Sequence, residues 1–330
     1  ADSFLAQSAR NLPSTLLAWH YRSRYEALIS FSNAAFYGGE LYTIPDRQLA
    51  LRDSGETRIK TPEEAAALVP QILSRPISFI HCESMPYENR RNAGEAASIA
   101  QIVRTLLSSE TKLSIGIAAF SEAQQGEIEG ALDSLAEADP AFASLLEAEY
   151  VREEDDQFCG LFVKNLENIQ GDERDIILMS VCYGRDVNGR ILMNFGPINQ
   201  RGGEKRLNVI FSRARQHMVL LSSLRHSDIT NDYNDGANAL KNFLHYAESL
   251  SRGDVALARQ VLDGLNPLKR AALSLEQTSA ALAKQIATAL KALGWDADTQ
   301  IGQSRFRCDV AGRSQRATQH QVGLLIDITG

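Results

Sequence analysis

The chain has 330 residues, 44% of them hydrophobic and 23% charged, and its formal net charge is -7 at pH 7. No apolar stretch approaches 18 residues and the first residues lack a signal-peptide pattern, so the composition argues against a membrane protein and predicts a soluble, cytoplasmic chain of about two domains. The cysteines are scattered without metal-ligand spacing, which predicts free thiols: Cys82, Cys159, Cys182 and Cys308.

Short apolar runs and helical periodicity alternate along the chain. The apolar runs predict strands at residues 77–82, 114–120, 162–166, 176–182 and 218–222. The helical pattern predicts helices at residues 95–107, 124–135, 207–216, 237–250 and 282–293. This alternation indicates right-handed βαβ units, so the predicted fold class is α/β, with a parallel sheet flanked by helices. Ligands of such sheets typically bind beyond the carboxyl ends of the strands.

Charge is distributed unevenly along the chain. Residues 127–156 contain eleven acidic side chains against Arg152 alone, whereas residues 201–225 contain six Lys and Arg side chains against Glu204. Affinity for a phosphate backbone comes from Lys and Arg, so a chain of net negative charge could still present one basic face to nucleic acid. The acidic run is interpreted as a solvated helical face and linker.

The segment at residues 162–182, FVKNLENIQGDERDIILMSVC, combines a buried strand with a polar turn. Residues 176–181 are almost entirely apolar, as in a parallel strand that helices cover on both faces. Gln170, Gly171, Asp172 and Glu173 precede that strand. Glycine between amide and carboxylate side chains favours a tight turn, which would present polar groups at the edge of the sheet. Taken alone, the turn could equally be a solvated connection.

The segment at residues 206–221, RLNVIFSRARQHMVLL, is the second informative stretch. Its predicted helix, at residues 207–216, carries Asn208, Arg213 and Arg215 and leads into the strand at 218–222. Two residues that are two positions apart do not share a helical face. We therefore expect one of the two arginines to point to a ligand and the other to face solvent or a partner.

These two segments resemble motifs V and VI of superfamily 1 helicases, in the branch that includes the nonsense-mediated-decay helicase. The first match departs from the family pattern at three positions, where Asn165 replaces Thr, Glu167 replaces Asp and Ile169 replaces Phe. The remaining matched positions of the two motifs are Val163, Gln170, Gly171, Glu173, Asp175, Leu207, Asn208, Val209, Ser212, Arg213 and Ala214.

Two further segments resemble the same family. Residues 17–23, LAWHYRS, are similar to motif IV, and residues 115–124, IGIAAFSEAQ, are similar to the I-G-V-I-T-P-Y-x-x-Q segment. Four motifs in the family's order over about two thirds of the chain form a specific signal, although each alone would be weak. The resemblance implies a RecA-like domain of the P-loop NTPase type at residues 1–252.

Half of the expected nucleotide machinery has no counterpart in the sequence. No G-x-x-x-x-G-K-[ST] phosphate loop occurs, and no strand ends in the Asp-Glu pair that would hold magnesium. The resemblance therefore implies the second RecA-like domain of a motor, in a fragment of a longer protein. We expect ATP and Mg²⁺ to bind only when the first RecA-like domain is present, and the fragment alone to be inactive.

The resemblance assigns catalytic roles to two arginines. Arg213 would reach across the interdomain cleft to the γ-phosphate of ATP, where a rigid and always-charged guanidinium suits the charge that develops in phosphoryl transfer. Arg22 would be a second contact to the γ-phosphate. The alternative for Arg22 is an ordinary surface ion pair.

The resemblance assigns binding roles to other matched positions. Tyr21 would pack near the adenine, and Glu173 would accept hydrogen bonds from the ribose hydroxyls, with Gln170 and Gly171 shaping the turn. Asn165 would donate to a phosphate of the bound strand. The alternatives are a core aromatic for Tyr21 and an exposed turn acid for Glu173.

The C-terminal part resembles the restriction-endonuclease-like domain, of the PD-(D/E)xK type, that follows some bacterial helicases of this branch. The predicted boundaries are a linker or helix at 253–275 and a partial, small α+β domain at 276–330. Asp309 and Asp327 would hold a metal ion that activates water. Ala283 stands where a helix glutamate is expected, so the domain is interpreted as incomplete or inactive. The two aspartates could instead be turn or edge residues.

Three functional hypotheses follow. The first is the C-terminal motor half of an ATP-dependent helicase or translocase that acts on single-stranded nucleic acid, with DNA favoured because of the nuclease-like tail. The second is a DNA-processing nuclease whose helicase-like part is a noncatalytic scaffold. The third is a noncatalytic module that binds nucleic acid through a RecA-like sheet.

Overall fold

A six-stranded parallel sheet forms the centre of the molecule. The computed structural model describes residues 18–46, 55–109, 111–265, 273–304 and 306–326. The strands of this sheet are β1 (Arg58–Ile59), β2 (Ile77–Cys82), β3 (Ile115–Ala119), β6 (Phe162–Asn165), β7 (Arg174–Ser180) and β8 (Ala214–Ser222). Their order in the sheet is β1-β2-β8-β7-β3-β6, and every neighbouring pair is parallel. The predicted α/β class is thereby confirmed.

Helices cover both faces of the sheet. One face packs against α1 (Ala27–Phe36), α6 (Gly203–Phe211), α7 (Asp235–Arg252) and α8 (Val255–Leu265). The other face packs against α2 (Val69–Leu73), α3 (Ala93–Ser108), α4 (Glu122–Ala138) and α5 (Pro140–Tyr150). Successive side chains of β7 alternate between the two cores: Ile177 and Met179 belong to the first, and Ile176 and Leu178 to the second. This arrangement explains why the strand reads as a continuous apolar run.

The prediction of a helix at residues 207–216 is wrong for the second half of that range. Helix α6 ends at Phe211, and Arg215 lies on β8. Ala214 is already paired with Arg174 of β7, so the backbone leaves the helix in order to complete the sheet. Tertiary pairing thus overrides the helical pattern of the local sequence.

The acidic run at residues 127–156 forms helices and a hairpin. It is divided among α4, α5 and a hairpin of β4 (Glu153–Glu154) and β5 (Gln157–Phe158). Most of its carboxylates are exposed, as predicted for a solvated helical face, but α5 and the hairpin stand where a linker was expected. All four cysteines are free thiols. Within the described ranges, no helix combines the length and apolar composition that a membrane span requires.

The C-terminal residues form a separate small layer. Helix α9 (Leu273–Ala292) packs on an antiparallel sheet of β9 (Trp295–Ile301), β10 (Cys308–Ser314) and β11 (Val322–Leu324), ordered β11-β10-β9. We call residues 273–326 the C-terminal module. Ala283 is fully buried in its core beside Ala287, Ala297 and Val310. The alanine at the expected glutamate position therefore has a packing role.

Candidate functional site

Glu173 and two arginines meet at the amino end of β7 and β8. Arg215, the second residue of β8, donates from Nε and Nη2 to Oε1 of Glu173 at 3.0 and 2.6 Å. Arg22 donates from Nε to Oε2 of the same carboxylate. Burial raises the pKa of Glu173, but the hydrogen bonds and charges of Arg215 and Arg22 outweigh it and hold the pKa below its ordinary value. The carboxylate is therefore ionised and orients both guanidinium groups.

Arg213 lies beside this ion pair. Its Nε donates to the carbonyl oxygen of Val209, in the last turn of α6, at 2.7 Å, and its Nη1 reaches the carbonyl oxygen of Asp172 at 3.4 Å. Arg22 donates to the carbonyl oxygen of Ser212 at 3.4 Å. Burial lowers the pKa of Arg213, and the charge of Arg22 lowers it further. The carbonyl groups thus hold a half-buried guanidinium close to a second one.

The turn before β7 takes the conformation that its sequence favours. Gly171 has a φ of +94°, in the left-handed region that glycine adopts at little cost. Gln170 and Gly171 are exposed, and Asp172 forms an ion pair with Lys164 at 2.6 Å. The turn presents its backbone at the edge of the sheet, next to Glu173.

Tyr21 is on the surface. Its side chain is 88% exposed, which excludes the alternative of a core aromatic. It stacks on His20 with ring centroids 6.5 Å apart and lines an open groove of about 570 Å³ together with Arg24. Burial and the charge of Arg22 lower the pKa of His20 to about 4, so the imidazole is neutral at pH 7. An exposed aromatic ring adjacent to Arg22 is available for stacking.

Asn165 lies at the opposite end of the sheet from Glu173, where the strands have their carboxyl ends. It is the last residue of β6, buried at the carboxyl end of the sheet, where its Nδ2 donates to Gln125 at 3.0 Å and its Oδ1 accepts from the backbone N–H of Glu167 at 3.0 Å. Ser121, which follows β3, is also at the carboxyl edge. Glu173 and Arg215, by contrast, lie at the amino ends of β7 and β8, whereas ligands of parallel sheets generally bind beyond the carboxyl ends.

The carboxyl edge contains a buried carboxylate that the sequence analysis missed. Glu95 is fully buried and accepts hydrogen bonds from Ser180 Oγ at 2.7 Å, the Cys182 N–H at 2.8 Å and the Ser223 N–H at 2.8 Å. Burial raises its pKa to about 7 despite these bonds. The sequence pattern that could have pointed to Glu95 is N-x-x-E at residues 92–95, which is typical of a helix start. In the structure Asn92 caps α3, because its side chain accepts a hydrogen bond from the Glu95 N–H.

The predicted metal site is only partly within the described residues. Asp309 lies on β10 and accepts from Gln300 Nε2 at 3.0 Å and from the Ile326 N–H at 2.7 Å. Asp327 lies outside the described residues. Among the residues that are described, no cluster of three or more His, Cys, Asp or Glu could hold a metal ion. The contacts of Asp309 are those of a residue that joins β10 to its neighbours.

The cluster of Arg22, Glu173, Arg213 and Arg215, at the amino end of the sheet, is rich in charged hydrogen-bond donors that suit an anionic group. Three guanidinium groups lie close together here: Glu173 pairs with those of Arg22 and Arg215, and the charges of Glu173 and Asp172 act on that of Arg213. Guanidinium groups form bidentate hydrogen bonds with phosphate oxygens.

Comparison with known proteins agrees with this description. The family model for an AAA domain matches residues 2–225. An uncharacterized ATP-dependent helicase of Mycoplasma genitalium, MG140, is 33% identical over 253 residues, and its Mycoplasma pneumoniae homolog is 32% identical over 251 residues. The matches cover 76% and 75% of this chain but only 20% and 19% of those proteins, so the chain spans about a fifth of the length of its relatives. The chain belongs to the AAA domain family.

Proposed function

We propose that the chain is the second motor domain of an ATP-dependent superfamily 1 helicase or translocase. The observation that supports this proposal most strongly is that four residues come together at the amino end of the parallel sheet: Arg22, Glu173, Arg213 and Arg215. These residues come from separate segments of the chain, and three of them were assigned to ATP from the sequence. The similarity to proteins named ATP-dependent helicases supports the same function.

Arg213 is the proposed catalytic arginine. Its guanidinium keeps its charge at any physiological pH even though burial lowers its pKa. It is held by backbone carbonyls, which a phosphate oxygen would outcompete because a charged acceptor forms a stronger hydrogen bond. Arg213 would then stabilise the negative charge that develops on the γ-phosphate during hydrolysis.

Arg22 and Glu173 form the supporting part of the site. Glu173 orients Arg22 toward the same edge, so Arg22 contributes a second positive charge at the γ-phosphate. When ATP is bound, Glu173 would accept a hydrogen bond from a ribose hydroxyl, while Gln170 and Gly171 keep the turn open to the nucleotide. The exposed ring of Tyr21 would stack near the adenine.

The cleft needs a second domain. We propose that a RecA-like domain with a phosphate-binding loop precedes this chain in the native protein and supplies the ligands of Mg²⁺. The bound metal would neutralise phosphate charge. Asn165, at the opposite edge, would contact a phosphate of single-stranded nucleic acid, with DNA favoured. ATP and the nucleic-acid strand would then bind at opposite ends of the same sheet. Closure of the cleft around ATP would change the contacts between the protein and the nucleic acid.

The proposal is tested by ATP hydrolysis with and without single strands. We expect the purified chain alone to show no hydrolysis above background, because it lacks the phosphate loop. The two-domain protein, in which the phosphate-loop domain precedes the chain, should hydrolyse ATP and be stimulated by single-stranded DNA more than by RNA of the same length. A strand-stimulated ATPase activity of the chain alone would refute the proposal.

A further inference from the structure

Glu26 connects the C-terminal module to the segment that carries Arg22. It lies at the start of α1, four residues after Arg22, and its side chain is only 6% exposed as part of the folded chain. Its Oε1 accepts from the backbone N–H groups of Gln303 and Ser304, at 2.7 and 2.9 Å, and from the hydroxyl of Thr43. Gln303 and Ser304 lie between β9 and β10. We call residues 302–304 the docking loop.

Other hydrogen bonds hold the docking loop in the same place. The Thr43 N–H donates to Ser304 Oγ at 3.1 Å, and Arg259 of α8 donates to the carbonyl oxygen of Gly302 at 2.9 Å. Both contacts join the C-terminal module to the domain that contains the large sheet. Glu26 makes the largest number of these contacts, because one of its oxygens accepts from two backbone N–H groups and a hydroxyl.

An aromatic contact lies at the same junction. The ring of Trp19 is 5.4 Å from the ring of Tyr42 and 5.4 Å from that of Phe306, which follows the docking loop. The backbone of this segment is paired as well, because the His20 N–H donates to the carbonyl oxygen of Tyr42 at 2.9 Å. The C-terminal module therefore contacts residues on both sides of Arg22.

The Arg22 segment is also attached to the large sheet. The Arg24 N–H donates to the carbonyl oxygen of Arg215 at 2.7 Å, and Ser23 Oγ reaches the carbonyl oxygen of Ala214 at 3.3 Å. Residues 19–26 thus bridge β8 on one side and the docking loop on the other. A bridge fixed on both sides orients its side chains more narrowly than one fixed on one side.

We propose that the C-terminal module acts as a brace for the nucleotide site, with Glu26 as a positioning residue that holds Arg22 in place. The inference depends on the proposed function for its effect on ATP hydrolysis, but not for the docking itself. It gives the module a role that needs no metal ion. Detachment of the module would loosen Arg22 and slow hydrolysis without changing the contacts of Asn165.

Docking is tested on the chain itself by hydrogen–deuterium exchange. Glu26→Ala should speed the exchange of peptides that cover residues 18–26 and 302–304 and leave β3 unchanged. Glu26→Gln, whose carbonyl can still accept the same hydrogen bonds, should restore most of the protection. Glu137→Ala, at an exposed glutamate on α4, is the matched control. If Glu26→Ala does not fold, Ser304→Ala should give a smaller increase in the same peptides. Unchanged exchange at residues 18–26 in these variants would overturn the proposal.

The positioning role is tested by ATP hydrolysis in the two-domain protein. We expect Glu26→Ala to lower kcat several-fold with an unchanged KM for single-stranded DNA, and Glu26→Gln to lower it much less. In an Arg22→Ala background, Glu26→Ala should have little further effect, because both act through the same guanidinium. Equal losses in both backgrounds would refute the positioning role. An inactive wild-type two-domain protein would refute the proposed function and leave the exchange result standing.

Discussion

Arg22 and Glu173, which are 151 residues apart in the sequence, form an ion pair at the amino edge of the central sheet. The pair joins the segment before α1 to the turn before β7. Arg215 binds the other oxygen of the same carboxylate. One acidic side chain thus orients two arginines toward the edge at which Arg213 lies.

The coupling between Arg22 and Glu173 should be measurable. We expect a double-mutant cycle of Arg22→Ala and Glu173→Ala to give a coupling energy of about 0.5–1 kcal/mol in urea unfolding, because both side chains are partly exposed and solvent screens the pair. At 1 M NaCl the coupling should fall, since the Debye length is then only about 3 Å. Coupling that is absent at low salt would contradict the observed pair.

The carbonyl group of Ile198 restricts two glycines. A Cβ atom added at Gly236, in the first turn of α7, would lie 1.9 Å from that oxygen, and one added at Gly203 would be equally close. Gly236→Ala should therefore destabilise the fold by roughly 1–3 kcal/mol. Gly130→Ala, inside α4 with open space around it, should stabilise the fold by about 0.5–1 kcal/mol. Thermal unfolding of the two variants tests the difference, and equal effects would contradict it.

The buried carboxyl of Glu95 should make stability depend on pH. Its pKa is about 7 in the folded chain, above the ordinary value of 4.5, so folding takes up a proton between these values. Its contribution is therefore fully present below about pH 4.5 and is lost as the pH rises through 7. We expect the wild type to lose about 2 kcal/mol of stability relative to Glu95→Gln between pH 5 and pH 8. Urea unfolding of both proteins at both pH values measures this loss, and a wild type that gains stability relative to Glu95→Gln as the pH rises would contradict the assignment.

Local patterns predicted β2, β3 and β7 well because these strands are buried on both faces. Strand β2 has the predicted bounds, and β3, β6 and β7 differ from the predicted ranges by no more than two residues at either end. Helices α3 and α4 also lie at the predicted positions. Strands β2, β3 and β7 could be assigned from the local sequence alone, since a strand that is buried on both faces is apolar along its whole length.

Features that depend on distant contacts were not predictable in the same way. The end of α6 is set by the pairing of β8 with β7, so Arg215 was placed on a helix although it lies on a strand. The contacts of Glu95 join three segments of the chain. For the candidate site, the resemblance to helicase motifs predicted roles for Arg22, Glu173 and Arg213, which stay predictions, and the ion pair of Arg215 with Glu173 was visible only in the structure.

The most direct test of the account is ATP hydrolysis by the two-domain protein with Arg213 replaced. The account predicts that Arg213→Ala lowers kcat by about a thousandfold or more, the range typical of an arginine finger, and that Arg213→Lys restores little, because an ammonium lacks the guanidinium fork. The control is Arg104→Ala, on α3, which packs on the opposite face of the sheet. If Arg213→Ala keeps kcat within about tenfold of the control, Arg213 does not act on the transferred phosphate, and the central claim is wrong.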